Sequence, residues 1–307
     1  MIEIKRILCA VDFSDSSRRA LKYAAASARW YGSHLTVLHL IPFVAPADVM
    51  PIMTGPAPGA YGVDDTTRAR ITSEATRHVH ETIGRDLPLE LRVMDAPQVH
   101  VEIVEQAKLL PADLIVVGTH GRSGYQRLFL GSVAEKVLRT AASPVMVVPP
   151  GRTDPVPAGD VGFDRILCAV DFSEASLAAL THAMSFAQEA DARLTVLWVQ
   201  EVLPEPAELW DTTGAALAQA RAADRATALT RLRDLVPDSV RTYCHVETRV
   251  EEGKPYREIV RVARESEADL IVVGSHSHGA IGHLFFGSNA NHVVRDAPCP
   301  VLAVPPH

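Results

Sequence analysis

The stretch RILCAVDFS occurs twice in this chain, at Arg6–Ser14 and again at Arg165–Ser173. A second string, ADLIVVG, occurs at Ala112–Gly118 and again at Ala268–Gly274. The first pair of strings is offset by 165 − 6 = 159 residues and the second by 268 − 112 = 156. The chain is therefore a tandem duplication, and its second copy is shorter between the two strings. Where the copies agree we expect a shared fold, and where they differ we expect different chemistry.

The 307 residues divide into two copies of about 150, a length at which one domain can bury its own core. Between the copies lies Pro149–Phe163, PPGRTDPVPAGDVGF, whose prolines and glycines predict a linker. We therefore predict a first domain at residues 1–150, a linker at 151–163 and a second domain at 164–307.

The composition indicates a soluble globular protein, with 47% hydrophobic and 22% charged residues. The net charge of 30 − 37 = −7 argues against a nucleic-acid binder, because there is no basic stripe to neutralise phosphates. No secretory signal opens the chain, and the least charged stretch, Leu35–Val63, contains too many prolines for a membrane helix. The four cysteines show no metal-type spacing and read as buried thiols, which predicts a cytoplasmic protein.

Short apolar strands alternate with helical segments in the first copy. Ile4–Val11 is rich in β-branched and apolar residues, as expected of a strand buried on both faces, and Ser14 follows it as a predicted N-cap. The other predicted strands are His34–Ile41, Leu89–Met94, Asp113–Gly118 and Val145–Val148, and the predicted helices after the first are Thr66–Gly84, Val99–Leu110 and Ser132–Ala141.

The second copy repeats this order. Its predicted strands are Arg165–Val170, Leu194–Val199, Thr242–Val250, Leu270–Gly274 and Val301–Val304, and its predicted helices are Glu174–Ala190, Ala215–Leu235, Pro255–Ser266 and Asn289–Arg295. Alternation of strand and helix predicts an α/β fold with a parallel, doubly wound sheet in each copy. The segment Pro42–Asp64 is too long for an ordinary connection and is interpreted as a surface or disordered loop, with a lid or a contact segment as alternatives.

The first copy also contains VVGTHGRSGYQRLFLGS, from Val116 to Ser132. Its glycines follow a predicted strand and precede a helix, whose first N–H groups and positive dipole end favour a phosphate. A tight strand-to-helix turn without a ligand is the alternative. Neither GxxxxGK[ST] nor a GxGxxG after the first strand is present, which excludes a P-loop and a dinucleotide fingerprint.

This segment has two glycines spaced GxxG, then nine residues and then GS, and the first strand ends in VDFS. In these two motifs the chain resembles the universal stress protein family. The resemblance covers nearly all of both copies. It implies two tandem five-stranded parallel α/β domains of the adenine-nucleotide alpha-hydrolase-like type. It further implies binding of ATP, with which Mg²⁺ can bind, and a role as a nucleotide-dependent sensor in the stress response.

The resemblance implies a complete ATP site in the first copy. Asp12, beside Val11, would face the base and sugar, and Leu40 would pack near the adenine, although Asp12 also reads as a turn carboxylate. The remaining site residues form the wall or hold the phosphates: Val117, Gly118, Gly121, Arg122, Arg127, Gly131, Ser132 and Val133.

The second copy departs from this pattern, because Ser277 replaces the second glycine and no Arg or Lys lies from Ser275 to Phe286. We therefore predict tighter triphosphate binding in the first copy. The second would bind ATP weakly, bind a less charged nucleotide or stay empty. Its corresponding residues are Asp171, Val199, Val273, Gly274, Ser277, Gly287, Ser288 and Asn289.

Three other hypotheses arise from the sequence. His276, His278, His283 and His292 suggest a metal site, but loop histidines are the simpler interpretation because no acidic or thiol ligand accompanies them. Efficient catalysis is not indicated, so that a slow ATP hydrolase or nucleotidyl-transfer enzyme is the alternative function. The resemblance also implies pairing of the last strands of the two copies as an intrachain pseudo-dimer, with a homodimer left open and no membrane partner.

Overall fold

The structure of the protein is a computed structural model that describes residues 2–43, 63–119, 130–150, 163–201, 210–275 and 287–306. Contacts within the chain divide it into two compact units. One consists of Glu3–Val161, and the other of Gly162–His307 together with Met1–Ile2. Residues 44–62 of the predicted loop Pro42–Asp64 and residues 151–162 of the predicted linker 151–163 lie outside the described residues.

The first unit is a five-stranded parallel sheet in the order β3-β2-β1-β4-β5. Helix α1 packs with α2, and α3 packs with α4. Right-handed crossovers place these two pairs on opposite faces of the sheet, because the chain moves outward through β2 and β3 and then returns to β4. The elements are β1 Arg6–Val11, α1 Asp15–Tyr31, β2 His34–Pro42, α2 Asp65–Ile83, β3 Leu89–Ala96, α3 Val99–Leu109, β4 Leu114–Gly118, α4 Ser132–Thr140 and β5 Val145–Val148.

The second unit repeats this arrangement, with parallel strands in the order β8-β7-β6-β9-β10. One short helix, α7, is added before the strand β8. The elements are β6 Arg165–Ala169, α5 Glu174–Ala190, β7 Arg193–Gln200, α6 Trp210–Asp234, α7 Asp238–Tyr243, β8 Val246–Glu252, α8 Pro255–Glu265, β9 Leu270–Gly274, α9 Ser288–Asp296 and β10 Val301–Val304.

The repeated string forms the same strand-to-helix junction in both units. The apolar core of β1 is fully buried, as in Leu8 and Cys9, because helices cover both faces of the sheet. The Ser14 side chain accepts a hydrogen bond from the N–H of Ser17 and caps α1, and Ser173 caps α5 in the same way. The predicted fold class is therefore confirmed.

One predicted strand, Thr242–Val250, is wrong at its beginning. Residues Asp238–Tyr243 form α7, and β8 starts only at Val246. Pro237 stands at the N-cap of α7, and Val240 is buried within it, so tertiary packing overrides the apparent β-propensity. The other boundaries differ by a few residues, most of all at α6, which begins at Trp210 instead of Ala215. None of the helices in the described part of the chain is long and apolar enough to span a membrane.

Candidate functional site

A cleft of about 600 Å³ opens at the carboxyl edge of the first sheet. It lies where β1 and β4 are neighbours, which is the switch point at which the chain's direction across the sheet reverses. The first turn of α4 and parts of α2 and α3 complete its walls. Its lining includes Val11, Asp12, Phe13, His39, Leu40, Pro42, Arg70, Glu74, Val99, Ile103, Val117, Gly118, Thr119, Gly131, Ser132, Val133 and Ala134.

Asp12 stands at the end of β1 and is held by the turn that follows it. Its Oδ1 accepts hydrogen bonds from Ser14 N at 3.0 Å and from Ser14 Oγ at 2.6 Å. Between them Phe13 has a φ of +66°, a region that side-chain-bearing residues seldom adopt. The carboxylate therefore fixes the turn and also lines the cleft.

Gly118 is required by helix packing at the floor of the cleft. A Cβ on this residue would stand 2.5 Å from Ser16 Oγ and 2.8 Å from the Ser16 carbonyl carbon. The first turn of α1 therefore occupies the space that a side chain would need. This packing explains the glycine without a ligand, although Gly118 also lines the cleft.

The first turn of α4 faces the cleft without a side-chain cap. Gly131 is the N-cap residue with φ −60° and ψ 140°, and its N–H donates to the Thr119 carbonyl oxygen. An α-helix leaves the N–H groups of its first turn without partners inside the helix, and the dipole adds positive potential there. Since Ser132, Val133 and Ala134 line the cleft, an anion can be bound at this end.

The cleft thus brings together eight of the residues predicted for the first copy. These are Val11, Asp12, Leu40, Val117, Gly118, Gly131, Ser132 and Val133. The other three, Gly121, Arg122 and Arg127, lie outside the described residues.

Several cleft residues were missed by sequence reasoning. His39 lines the cleft, contacts the Val11 carbonyl oxygen through Nδ1 at 2.8 Å and stacks on Phe13 with ring centroids 4.3 Å apart. His78, which is not among the residues that line the cleft, packs edge-to-face with Phe13, with ring centroids 5.1 Å apart. Burial, with a smaller effect of the Arg18 charge, lowers the pKa of His78. Only the position of His39 near the end of a predicted strand could have indicated this group.

Helix α2 contributes a charged pair that no motif indicated. Arg70 Nη1 lies 3.2 Å from Glu74 Oε1, and both residues line the cleft. Their i, i+4 spacing identifies an ordinary helix pair, and only the packing of α2 shows that it faces the cleft.

The second unit has a smaller cleft, of about 370 Å³, at the corresponding edge of its sheet. Asp171 repeats the turn of Asp12, with Oδ1 accepting from Ser173 N at 3.0 Å. Gly274 is again packed against a helix, since a Cβ there would stand 2.7 Å from Ser176 N. The lining includes Val170, Asp171, Leu197, Trp198, Val199, Glu201, Pro255, Ile259, Val273, Gly274, Gly287, Asn289 and Val293.

Six of the residues predicted for the second copy line this cleft: Asp171, Val199, Val273, Gly274, Gly287 and Asn289. Ser288 begins α9 but is not among the residues that line the cleft. Ser277 lies outside the described residues, as do His276, His278 and His283. Within the described ranges, no group of three or more His, Cys, Asp or Glu side chains could hold a metal ion.

The two clefts differ most at the end of the second strand of each unit. The offset of 159 residues aligns His39 with Trp198 and Pro42 with Glu201. In the second unit Trp198 lies 6.3 Å from Phe172 between ring centroids, and the Arg231 guanidinium covers the Phe172 ring at 3.8 Å. The histidines around Phe13 are thus replaced by an indole and a permanent cation around Phe172.

Together the sheets and clefts define an α/β protein of two tandem five-stranded parallel domains. The sequence profile of the universal stress protein family matches residues 3–149 and again residues 162–305. The chain belongs to the universal stress protein family.

Similar proteins span the whole chain. It is 29% identical over 311 residues to a universal stress protein from Mycolicibacterium smegmatis, covering 98% of this chain and 97% of that protein. It is 28% identical over 301 residues to a universal stress protein from Mycobacterium tuberculosis, covering 96% and 95%. A solved universal stress protein from Archaeoglobus fulgidus shares the fold, with a TM-score of 0.62, 21% identity and coverage of 98% of this chain and 96% of that chain.

Proposed function

We propose that the first cleft binds ATP and that the chain acts as a nucleotide-dependent sensor or binding module of the stress response. Occupancy of the cleft by ATP would change how the surrounding loops contact other proteins. The proposal depends on one observation. The uncapped first turn of α4 opens on the same cleft as the carboxyl ends of β1, β2 and β4.

The α4 end of the cleft has the chemistry that a phosphate chain requires. Main-chain N–H groups bind phosphate oxygens without bringing a side chain into the space. Gly131 has no side chain, so it does not obstruct the approach of a ligand to these N–H groups. The Ser132 hydroxyl can add a donor. Phosphates would therefore occupy the side of the cleft nearest Gly131–Val133.

The opposite side suits a base and a sugar. Val11, Leu40 and Val117 offer an apolar surface, and Asp12 lies beside them as a hydrogen-bond acceptor. The volume of about 600 Å³ falls within the range of about 300–1,000 Å³ that is typical of small-molecule sites.

The cytoplasm is the proposed location. All four cysteines, Cys9, Cys168, Cys244 and Cys299, are free and buried. Burial raises the pKa of the Cys9 and Cys168 thiols, which keeps them protonated and unreactive. Free thiols in a chain of this length fit a reducing compartment.

Slow ATP hydrolysis is the second candidate, because two carboxylates, Asp12 and Glu74, line the same cleft. Each already has a partner, Ser14 for Asp12 and Arg70 for Glu74. Neither is therefore a ready base for an attacking water. We expect phosphate release well below about 1 s⁻¹, the lower end of ordinary enzyme rates. A rate above that in the presence of Mg²⁺ would make the protein an enzyme.

The binding proposal is tested on the full-length protein. Native mass spectrometry of the freshly purified chain should detect an adenine nucleotide, and calorimetric titration with ATP, with and without Mg²⁺, should show saturable binding. The proposal is refuted if no nucleotide co-purifies and no heat of binding is detected up to about 1 mM ATP. Such a result would mean a binding free energy weaker than ~4 kcal/mol.

A further inference from the structure

The strand β3 is an outer strand of the first sheet and is only half-buried. Among the strands that the structure describes, it pairs with β2 alone. The side chains of residues 89–95 are all half-buried, whereas those of residues 35–41 in β2 are buried. An outer strand offers the N–H and C=O groups of its free side to a further strand. This edge, with apolar side chains such as Leu91 and Val93, is therefore a surface on which another strand can pair.

The charges of β3 are self-complementary. Glu90 and Arg92 flank Leu91, and the Arg92 Nε lies 2.8 Å from Glu90 Oε1. In an antiparallel pair of β3 strands centred on Leu91, Glu90 of each copy lies opposite Arg92 of the other. Leu89 of each copy then lies opposite Val93. Opposite charges and apolar side chains that face each other across two strands stabilise the pairing.

Helix α2 adds a groove beside this strand edge. Residues at helical spacing line the groove, namely Asp65, Ala69, Thr72, Thr76 and His80. Arg70 and Glu74, which line the first cleft, lie on the opposite side of the helix, because each precedes a threonine of the groove by two residues and successive residues are turned by about 100°. Arg68, also in the groove, forms an ion pair with Asp95 of β3. The groove is thus next to the β3 edge and separate from the cleft.

The middle of the groove suits the close approach of a second helix. The hydroxyls of Thr72 and Thr76 donate hydrogen bonds to the carbonyl oxygens of Arg68 and Thr72, at 2.9 Å and 2.8 Å. These hydroxyls are therefore engaged within α2, and the threonine methyl groups and the methyl of Ala69 are available for contact. Small side chains at a contact allow two helices to pack at a short interaxial distance.

The charges around the groove are self-complementary as well. In an antiparallel pair of α2 helices that places Arg68 of each copy opposite Glu81 of the other, Asp65 of each copy comes near Arg85 of the other. Small side chains, such as that of Ser73, then meet at the centre. A two-fold axis perpendicular to the sheet makes strand and helix antiparallel to their copies at once, so one axis serves both layers.

We propose that β3 and α2 of the first unit form the contact of a symmetric homodimer, in which the two β3 strands pair and the two α2 helices pack beside them. The partner is a second copy of this chain, because the strand and the helix each complement themselves about the same kind of axis. The contact uses neither cleft. The dimer and the assignment of ATP to the first cleft can therefore fail independently.

The outer strand of the second unit provides a matched control. Strand pairing aligns Glu247 and Arg249 of β8 with the charge pair of β3. Thr248 stands between them in place of a leucine, and Arg249 lies within 3.1 Å of carboxylate oxygens of Glu251 and Glu265. The arginine of β8 is thus engaged within its own unit, and the centre of the strand is polar.

Charge reversal in β3 tests the strand contact on the full-length chain. Sedimentation velocity of the wild type should show a species of twice the mass of the chain, with a dissociation constant below about 10 μM. Glu90→Arg and Arg92→Glu should each raise this constant at least about tenfold, equivalent to ~1.4 kcal/mol, because like charges would then face each other across the pair.

A mixture of the two variants separates a dimer contact from a role in folding. Neither variant can form the Glu90–Arg92 ion pair within its own chain, so a structural defect would persist in the mixture. Across the contact, however, a chain with two arginines would face a chain with two glutamates. The mixture should therefore associate with an affinity within about threefold of the wild type.

Variants elsewhere test the helix contact and the choice of strand. Thr72→Arg, which places a bulky cation opposite Arg77 of the other copy, should weaken the dimer at least about tenfold, whereas Thr72→Ser should not. Glu247→Arg and Arg249→Glu, the same reversals in β8, should leave the dimer unchanged.

Four outcomes overturn the proposal. They are a wild type that stays monomeric up to about 100 μM, reversals in β3 or a Thr72→Arg change that leave the dimer intact, a mixture that fails to associate, or a dimer lost through the reversals in β8 instead. Circular dichroism shows that each variant is folded. Calorimetric titration of Arg92→Glu with ATP reports the first cleft, so failure of the ATP assignment is distinguished from failure of the dimer.

Discussion

The two clefts of this chain have the same floor and different walls. Each floor consists of an Asp-Phe-Ser turn in which the phenylalanine has a positive φ, and a glycine packed against a helix N-terminus. The walls replace His39 by Trp198 and Pro42 by Glu201, and they lose the arginine that α2 supplies to the first cleft. The floor is a requirement of folding, because it joins sheet to helix. The wall residues are not needed to join sheet and helix, so they can differ between the copies. A difference in the walls would change which ligand each cleft binds.

The largest expected difference between the copies concerns Gly131, the glycine before α4, the helix that we propose to face the phosphates. Gly131→Leu should weaken ATP binding by about 100-fold or more, equivalent to ~2.7 kcal/mol, because the leucine would obstruct the approach to the first N–H groups of α4. Calorimetric titration of the full chain with ATP measures this loss. The backbone of Gly131 has a φ of −60°, which any residue adopts, so the variant is expected to fold.

Gly287→Leu is the matched control, because it makes the same change before α9 in the second unit. It should leave the ATP affinity of the first cleft unchanged. If both variants bind ATP as the wild type does and retain its circular dichroism spectrum, the assignment of the first cleft is wrong.

A smaller effect is expected where the two copies are alike. Gly118→Ala and Gly274→Ala should each lower the free energy of unfolding by about 1–3 kcal/mol, because the new Cβ would stand 2.5–2.9 Å from α1 atoms or 2.7–3.0 Å from α5 atoms. Urea unfolding measures the change. Similar losses in both variants would confirm a common floor, whereas a loss confined to Gly118→Ala would show that the second junction can relax.

The smallest expected effect concerns the aspartate that fixes the start of the first strand in each unit. Asp269 Oδ2 accepts from Asp164 N at 2.9 Å and from Arg165 N at 3.0 Å, and Asp113 accepts from Lys5 N and Arg6 N in the same way. Burial raises the pKa of Asp269 to about 6, against about 3.9 for an unfolded chain. The native state therefore binds this proton more tightly than the unfolded state.

Because the native pKa is the higher one, the contribution of Asp269 to stability is greatest below about pH 4 and falls as the pH rises through about 6. Its partial exposure limits the change to about 1 kcal/mol. Asp269→Asn should remove this slope from a series of urea unfolding curves between pH 4 and 7. Asp113→Asn controls for the lost hydrogen bonds, and an identical slope in wild type and Asp269→Asn would contradict the prediction.

Sequence reasoning succeeded where a residue's neighbours in the chain decide its environment. The repeat, the alternation of buried strands with helices and the glycines before α4 are all local patterns. The eight site residues that lie in one cleft were implied by the family resemblance that these patterns carry. The same reasoning failed at Thr242–Val250, where Thr242 and Tyr243 end the helix α7 and the strand begins only at Val246. It also gave no sign of Arg70 and Glu74, since an i, i+4 charge pair looks the same whether or not it faces a cleft.

The amino-acid sequence by itself determined that this protein is a duplicated parallel α/β chain, because strand burial, helix caps and internal repeats are short-range properties. The tertiary structure alone decided which side chains share a cleft, because strands distant in sequence become neighbours only when the sheet forms. It also showed that Gly118 and Gly274 are fixed by the helices packed against them. Close packing between distant segments leaves no mark in the local pattern of residues.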